Sequence, residues 1–115
     1  PWSPLSSGML SGKYAKGAIP QGSRWAISTP GSLFRNTEAS HAAIDEYVAL
    51  AKRHNYTPSQ LALAWCDQID GVTSTIIGAT SMAQLKENIS AFEMPLSKEL
   101  EQQISAILKR YPSPF

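Results

Sequence analysis

The chain has 115 residues, 43% hydrophobic and 17% charged, a composition typical of a globular protein with a buried core rather than of a disordered segment. It contains no run of about 18 apolar residues, and its first ten residues lack the charged and apolar regions of a signal peptide. The net charge of +1 argues against a general nucleic-acid or membrane surface, and the single cysteine, Cys66, excludes an internal disulfide. We therefore expect a cytoplasmic protein that binds neither nucleic acid nor a membrane.

The beginning of the chain is basic and rich in glycine. Residues 1–37 contain Lys13, Lys16, Arg24 and Arg35 and no acidic residue, and five of the seven glycines lie between Ser6 and Ser40. We predict that residues 6–40 form one long loop, and loops beyond about 15 residues are usually binding segments or disordered. The basic residues fit a small anionic ligand or a merely solvated surface, and both interpretations stay open at this point.

Apolar spacing and capping residues predict four helices. Three of them carry N-terminal or C-terminal signals: Asn55 as a left-handed cap, Thr57 with Gln60 as a capping box, and Ser81 with Gln84 as another. The predicted ranges are about Glu38 to His54, Pro58 to Gln68, a helix opening at Ser81 with Leu85, Ile89 and Phe92 on one face, and Lys98 to Arg110.

The β-branched run of residues 72–77 lies between Gly71 and Gly78 and predicts a buried strand. Trp2, Ser3 and Pro4 read as the tail of a second strand. We expect the two to pair in parallel, with the helix from Pro58 to Gln68 as the crossover. This is α/β architecture, but one and a half strands cannot make a sheet, and the polypeptide is therefore expected to be incomplete.

Few catalytic motifs are present. Residues 8–14 resemble a phosphate-binding P-loop, but the glycines are one residue too close and Tyr14 replaces the magnesium-binding Ser or Thr. His41 and His54 are too far apart for one metal site, and no metal ligands are assigned. The junction of residues 76–88 fits either an anion site at a helix N-terminus or ordinary capping by Ser81 and Gln84.

Three ordered segments carry a family resemblance that spans almost the whole chain. They are WSPLSSGMLSGKY near the start, AWCDQIDGVTSTIIGATSMAQLKENI later, and the closing amphipathic helix. Together they resemble the aldo-keto reductases, especially the branch that contains voltage-gated potassium-channel beta subunits and related bacterial oxidoreductases. The resemblance implies the C-terminal fragment of a (β/α)8 TIM barrel, from the end of strand seven through helix eight plus a C-terminal helix. Residues 1–115 would then be a single partial domain, with 6–40 as its cofactor-side loop.

The resemblance also implies an activity. The complete protein would reduce aldehydes or ketones with NADPH, while this part would supply NADP(H)-binding residues and be inactive without the remainder of the barrel N-terminal to Pro1. The implied contacts are Trp2, Ser3, Pro4, Leu5 and Ser6 on the nicotinamide and pyrophosphate, Lys13 and Arg24 on phosphate and adenosine, Gly78, Thr80 and Gln84 on the 2′-phosphate, and Glu87 with Asn88 on adenine.

Two departures from the family pattern leave alternatives open. Many members have lysine where Gly78 stands and arginine where Gln84 stands, so the preference between NADPH and NADH stays undecided. The catalytic Asp, Tyr, Lys and His of the family lie in earlier strands, and no catalytic residue is assigned to this chain. A non-catalytic, NADP(H)-sensing subunit and an inactive truncated fragment are the alternative functions, and the oligomeric state and the carbonyl substrate are undetermined.

Overall fold

The computed structural model describes residues 1–28 and 37–112. Within them, five α-helices follow one another: α1 (Arg24–Ile27), α2 (Glu38–Arg53), α3 (Pro58–Gln68), α4 (Met82–Ala91) and α5 (Lys98–Arg110). Two short 3₁₀ helices, Ser6–Ser11 and Ala15–Gly17, precede them. The four helices predicted from apolar spacing are confirmed, with ends that differ by one residue at most from the expected ones. None of the described helices is both long enough and apolar enough to cross a membrane.

Side-chain caps explain where the long helices begin. The Thr57 hydroxyl accepts from the Gln60 N–H at 3.1 Å, and the Gln60 side chain accepts from the Thr57 N–H at 2.9 Å, which confirms the predicted capping box. Asn55 follows the end of α2 with φ 59°, the left-handed conformation expected of its cap position. The box predicted at Ser81 is half formed. Ser81 accepts from the Gln84 N–H, but the Gln84 side chain bonds Thr80 instead of the Ser81 backbone.

Three of the helices meet in the larger of two apolar clusters. The buried residues of this cluster come from α2, α3 and α5: Leu50, Ala51, Leu61, Leu100, Ile104 and Ile107. A second cluster joins Met9 and Tyr14 of the N-terminal segment to Ile44 of α2. Glu46 on α2 accepts hydrogen bonds from Arg110 at 2.6 Å and from Tyr111 at 3.0 Å, and these bonds fasten the end of α5 to α2. Burial of the apolar helix faces is thus the main stabilising contribution.

The prediction of a strand at residues 72–77 is wrong for the chain as described, because no strand forms within residues 1–28 and 37–112. One backbone hydrogen bond, from the Ile76 N–H to the Pro1 carbonyl at 2.9 Å, joins the two segments that were expected to pair. A strand needs a neighbour for every second N–H and C=O along it, and a single bond at Pro1 cannot supply a ladder. The helices of the α/β prediction are therefore confirmed. Of its strand pairing, the described residues show one backbone hydrogen bond.

Side-chain hydrogen bonds fix the relative direction of α3 and α4. In chain order, the bonded pairs are Thr57 with Glu87, Gln60 with Ser90, and Gln68 with the carbonyl of Met94. Numbers rise together on both sides, so the two helices run in the same direction. The chain between α3 and α4 must therefore run back along the length of α3, which is roughly 16 Å for its 11 residues. Six extended residues span about 20 Å, so an extended run at residues 72–77 would cover that distance, as in a β/α repeat.

The loop predicted over residues 6–40 is more structured than expected. Its described part contains both 3₁₀ helices and α1, and Met9 and Tyr14 are fully buried there. Tyr14 stacks on Trp25 with ring centroids 4.9 Å apart, and its hydroxyl accepts from the Trp25 N–H at 3.2 Å. The contacts of Tyr14 and Trp25 therefore order this segment, although its sequence has no regular apolar periodicity. Residues 29–36 of the predicted loop, which include Arg35, lie outside the described residues.

Gly12 offers a test of this packing. It has φ +80°, and a Cβ atom there would lie 3.0 Å from Cγ of Pro58, whereas Gly17 has φ +74° and open space. We expect Gly17→Ala to lower the free energy of unfolding of the full-length protein by about 1 kcal/mol, the cost of a left-handed alanine. Gly12→Ala should cost roughly 2–3 kcal/mol, because the added methyl group also displaces Pro58. Urea denaturation measures both, and equal losses would contradict the packing of Gly12 on α3.

Tyr47 provides a pH-dependent test of the larger cluster, against which it packs. Burial, and secondarily the charge of Glu46, raises the pKa of Tyr47 from 10.0 to about 12. The folded state therefore holds the phenol proton more tightly than the unfolded state. The stability from this group is complete below pH 10 and is lost as the pH rises toward 12. In Tyr47→Phe, the fall in unfolding free energy over that range should be smaller than in the wild type. Identical pH profiles by urea denaturation would rule out this burial.

Candidate functional site

The N-terminal turn of α4 holds a polar group with one free donor. The Gln84 Oε1 atom accepts from the Thr80 N–H at 2.9 Å and from the Thr80 hydroxyl at 3.0 Å, while Ser81 caps the Gln84 N–H at 3.2 Å. Both bonds to Gln84 use its oxygen, so its Nε2 amide is left as the donor. In the described part of the chain Nε2 makes no hydrogen bond, and the side chain is exposed. The turn therefore presents an amide donor beside the positive end of the α4 dipole.

The residues next to this turn leave room for a ligand. A Cβ atom on Gly78 would meet nothing within 4 Å in the described structure, so the space beside it is open. Asn88, only 3% exposed, donates from Nδ2 to the Gly78 carbonyl at 3.4 Å and holds the chain against α4. Residues 78–84 contain no charged side chain. An anion here would be bound by neutral donors and the helix N-terminus alone.

Glu87 lies one turn further along α4. One of its carboxylate oxygens, Oε1, accepts a hydrogen bond from the Thr57 hydroxyl at the start of α3. The expectation from the sequence placed Glu87 against adenine and treated Thr57 only as a helix cap. The partnership between them was missed because the two residues are 30 positions apart. The sequence carried one hint of it. Thr57 caps α3 through its hydroxyl oxygen, which leaves the hydroxyl hydrogen available for another partner.

The segment from Trp2 to Ser6 forms a tight turn. Trp2 is 78% exposed, and the Ser6 N–H donates to the Ser3 carbonyl at 2.9 Å. Ser3 and Ser6 adopt φ values of 56° and 47°, a left-handed conformation that costs a non-glycine residue about 1 kcal/mol or more. Pro4 and Leu5 are half-buried between them. The turn thus holds two serine residues in an unusual backbone geometry near the exposed indole.

Lys13 and Arg24, the two predicted phosphate contacts, are the sequence neighbours of Tyr14 and Trp25, which pack with Ile44 of α2. The Lys13 ammonium lies 5.2 Å from the ring centroid of Tyr14, a cation–π distance. A Cβ atom on Gly8 would be 3.1 Å from Lys13 Nζ, so the missing side chain at Gly8 lets the lysine lie over the first 3₁₀ helix. Arg24 is exposed and begins α1 next to Trp25.

Hydrogen bonds join some of the predicted residues around α4, and the others lie outside this network. Gly78, Thr80, Gln84, Glu87 and Asn88 are joined by hydrogen bonds around α4 and to the start of α3. The bond between Pro1 and Ile76 sets the beginning of the Trp2–Ser6 turn beside the chain that leads to Gly78. In the described part of the chain, no hydrogen bond or ion pair links Lys13 or Arg24 to residues 78–88.

An apolar cavity of about 280 Å³ adjoins the Trp2–Ser6 turn. Its walls include Trp2, Ser3, Pro4 and Ser6 of the turn and Trp65 and Cys66 of α3. Burial raises the pKa of the Cys66 thiol, which keeps it neutral and weakly nucleophilic, as expected of a residue that fills space. Among the described residues, no cluster of three His, Cys, Asp or Glu side chains could hold a metal ion.

Curated proteins are similar to this chain along most of its length. Protein tas of Escherichia coli (strain K12) is 37% identical over 115 residues, which cover 98% of this chain and 33% of that protein. A probable voltage-gated potassium channel subunit beta of Arabidopsis thaliana is 39% identical, covering 81% of this chain and 29% of its own length. A putative subunit of the same kind from Schizosaccharomyces pombe is 40% identical, with 96% and 34% covered. The chain thus spans about a third of the length of these relatives.

The model of the aldo/keto reductase family matches residues 1–109, and the resemblance seen in the three sequence segments is confirmed by it. This chain belongs to the aldo/keto reductase family.

Proposed function

We propose that residues 1–115 are part of a (β/α)8 barrel that reduces aldehydes or ketones with NADPH, and that this part binds the cofactor. The observation that carries the proposal is the arrangement at Gln84. Its oxygen is used by Thr80 and its amide donor is free at the N-terminus of α4. In the proposal, the chain covers the end of strand seven, helix eight and the C-terminal helix of the barrel, in the cytoplasm.

The donor set of the α4 turn fits the 2′-phosphate of NADPH. The first backbone N–H groups of a helix point outward and attract anions, and α4 has ten residues, enough for a full dipole. Gln84 adds a neutral donor, and the open space beside Gly78 admits the phosphate. When bound, the reduced nicotinamide supplies a hydride to the carbonyl carbon. The described residues bind and orient the cofactor.

The remaining residues are assigned to the other parts of the cofactor. Asn88 keeps its Oδ1 acceptor available, because only its Nδ2 bonds Gly78, and it joins Glu87 at adenine. In this proposal the other contacts follow the resemblance: Trp2, Ser3, Pro4, Leu5 and Ser6 on the nicotinamide and pyrophosphate, Lys13 and Arg24 on phosphate and adenosine. A cofactor that contacts all of these residues would extend from the α4 turn to Lys13 and Arg24.

A second candidate is a cofactor-binding subunit without turnover, and the names of two relatives favour it. Both the Arabidopsis and the Schizosaccharomyces relatives are described as voltage-gated potassium channel beta subunits. The same cofactor contacts serve either function, since binding and hydride transfer use different residues. The two candidates differ in whether residues in the rest of the barrel catalyse hydride transfer.

The first test is turnover by the full-length protein that contains this segment. We expect oxidation of NADPH, followed at 340 nm, when a generic aromatic aldehyde is added. Tight NADPH binding without aldehyde-dependent oxidation would favour the sensing subunit. Absence of NADPH binding would reject both candidates.

Gln84 tests the 2′-phosphate contact. Gln84→Glu keeps an oxygen for Thr80 but replaces the donor with a carboxylate, so NADPH affinity should fall about tenfold more than NADH affinity. Gln84→Arg should shift the ratio several-fold in the opposite direction, because a guanidinium makes charge-assisted bonds to phosphate. Fluorescence titration with both cofactors gives the ratio.

Gln102→Glu is the matched control, because it makes the same charge change at an exposed position of α5. Its NADPH to NADH ratio should equal that of the wild type. If Gln84→Glu and Gln102→Glu give the same ratio, Gln84 is only part of a helix cap.

A further inference from the structure

The hydroxyl of Thr57 does more than cap α3. Its oxygen accepts from the Gln60 N–H at 3.1 Å, which is the capping bond, and its single hydrogen is donated to Glu87 Oε1 on α4. The direction of each bond is fixed, because an N–H can only donate and a carboxylate can only accept. Capping alone would leave the hydroxyl hydrogen free to point into solvent, since Thr57 is exposed.

A closed set of hydrogen bonds surrounds this contact. The Gln60 Nε2 atom donates to the Ser90 hydroxyl at 3.0 Å, and that hydroxyl donates to the Glu87 carbonyl at 2.7 Å. Thr57 and Gln60 are also joined through the capping box. Backbone and side chain of Glu87 are therefore both held by residues bonded to the start of α3. Without such bonds, a glutamate side chain on a helix surface would lose rotamer freedom when it binds a ligand, which costs binding free energy.

We propose that Thr57 is a positioning residue for adenine recognition, which holds the Glu87 carboxylate so that its second oxygen, Oε2, faces the ligand. The inference rests on the proposed function, which places Glu87 at the adenine. A carboxylate has two acceptor oxygens, and adenine presents an exocyclic amino group that donates. Thr57 uses one acceptor site of Oε1, whereas Oε2 accepts no hydrogen bond in the described structure and is the oxygen with both acceptor sites open to that donor. The orientation is then set before the cofactor arrives, which reduces the entropy lost on binding.

Thr57→Asp separates positioning from capping. Aspartate caps a helix as well as threonine does, but it cannot donate to Glu87 and its charge repels that carboxylate. In the full-length protein we expect the Kd for NADPH to rise about tenfold, while the thermal midpoint falls by only a few degrees because position 57 is exposed. Thr57→Ser retains the hydroxyl and should restore binding to within about twofold. Thr57→Gly, which removes the donor without adding a charge and caps nearly as well as serine, serves as a second variant.

Two controls distinguish this role from a structural one. Thr37→Asp makes the same change in the capping box of α2, where the hydroxyl accepts from the Ser40 N–H at 3.1 Å, and should leave NADPH binding unchanged. Reduced nicotinamide mononucleotide lacks the adenosine, so its Kd should not respond to Thr57→Asp. In the background of Glu87→Ala, Thr57→Asp should have no further effect on the Kd for NADPH, because the residue it positions is gone.

Three results would overturn the role proposed for Thr57, and a fourth would overturn the proposed function. A Kd for NADPH that is the same in Thr57→Asp, Thr57→Gly and the wild type overturns the proposal. So does an equal loss of NADPH and mononucleotide binding, or an additive effect in the Glu87→Ala background, because these indicate a general disturbance of α3. If the wild-type protein binds no NADPH, the proposed function itself fails, and that result is visible before any variant is compared.

Discussion

The position of α3 is the constraint on which the rest of the described structure depends. Leu61 on one side of the helix enters the buried cluster shared with α2 and α5. Polar residues at both ends of α3 form hydrogen bonds with α4 and the segment that follows it. Thr57 donates to Glu87 at the start of α3, and Gln68 donates to the Met94 carbonyl at its end. Apolar burial fixes how close α3 lies to its neighbours, since the hydrophobic effect is non-directional, while the hydrogen bonds fix the register. Displacing α3 would therefore move the α4 turn and the core together.

The segment of residues 72–77 shows what helical packing alone cannot provide. Its residues have the β-branched composition of a buried strand, yet Ile76 is 65% exposed and the Thr75 hydroxyl is buried without a hydrogen-bond partner in the described structure. Sheets are stabilised by pairs across strands, and among the described residues the one backbone hydrogen bond between this segment and a distant part of the chain is that of Ile76 with Pro1. The parallel course of α3 and α4 nonetheless requires the chain to return between them. Two parallel helices joined by such a return are compatible with a β/α repeat, although no strand forms among the described residues.

The features that sequence reasoning predicted are local ones. The capping box at Thr57 and the left-handed Asn55 depend on neighbours within four positions, and the helix ranges depend on apolar periodicity. The half-formed box at Ser81 failed because the Gln84 amide had a competing partner one residue earlier, Thr80, which the capping pattern does not consider. Structure in the glycine-rich segment was missed because its order comes from Tyr14 stacking on Trp25, a pairing with no period to reveal it.

The candidate site was predictable to a different degree in each part. Family resemblance predicted Gln84 and Glu87 as cofactor contacts, but it gave no account of what holds Glu87, because hydrogen bonds between α3 and α4 join residues about 30 positions apart. It also assigned Lys13 and Arg24 to the same ligand, which stays a prediction; in the described structure Lys13 lies over the Tyr14 ring and Arg24 begins α1.

In the proposed function, one ligand reaches both the α4 turn and the basic group, defined as Lys13 and Arg24. Residues 78–84 have neutral donors only, so the cations of the proposed site come from the earlier segment. A pyrophosphate carries more charge than a helix N-terminus can neutralise, so cations are needed there. A 2′-phosphate at the α4 turn meets the dipole and one amide, an arrangement that binds it more weakly than a guanidinium would. In the proposed function, overall affinity therefore comes from the basic group, while the choice between NADPH and NADH is made at α4 by a small difference in free energy.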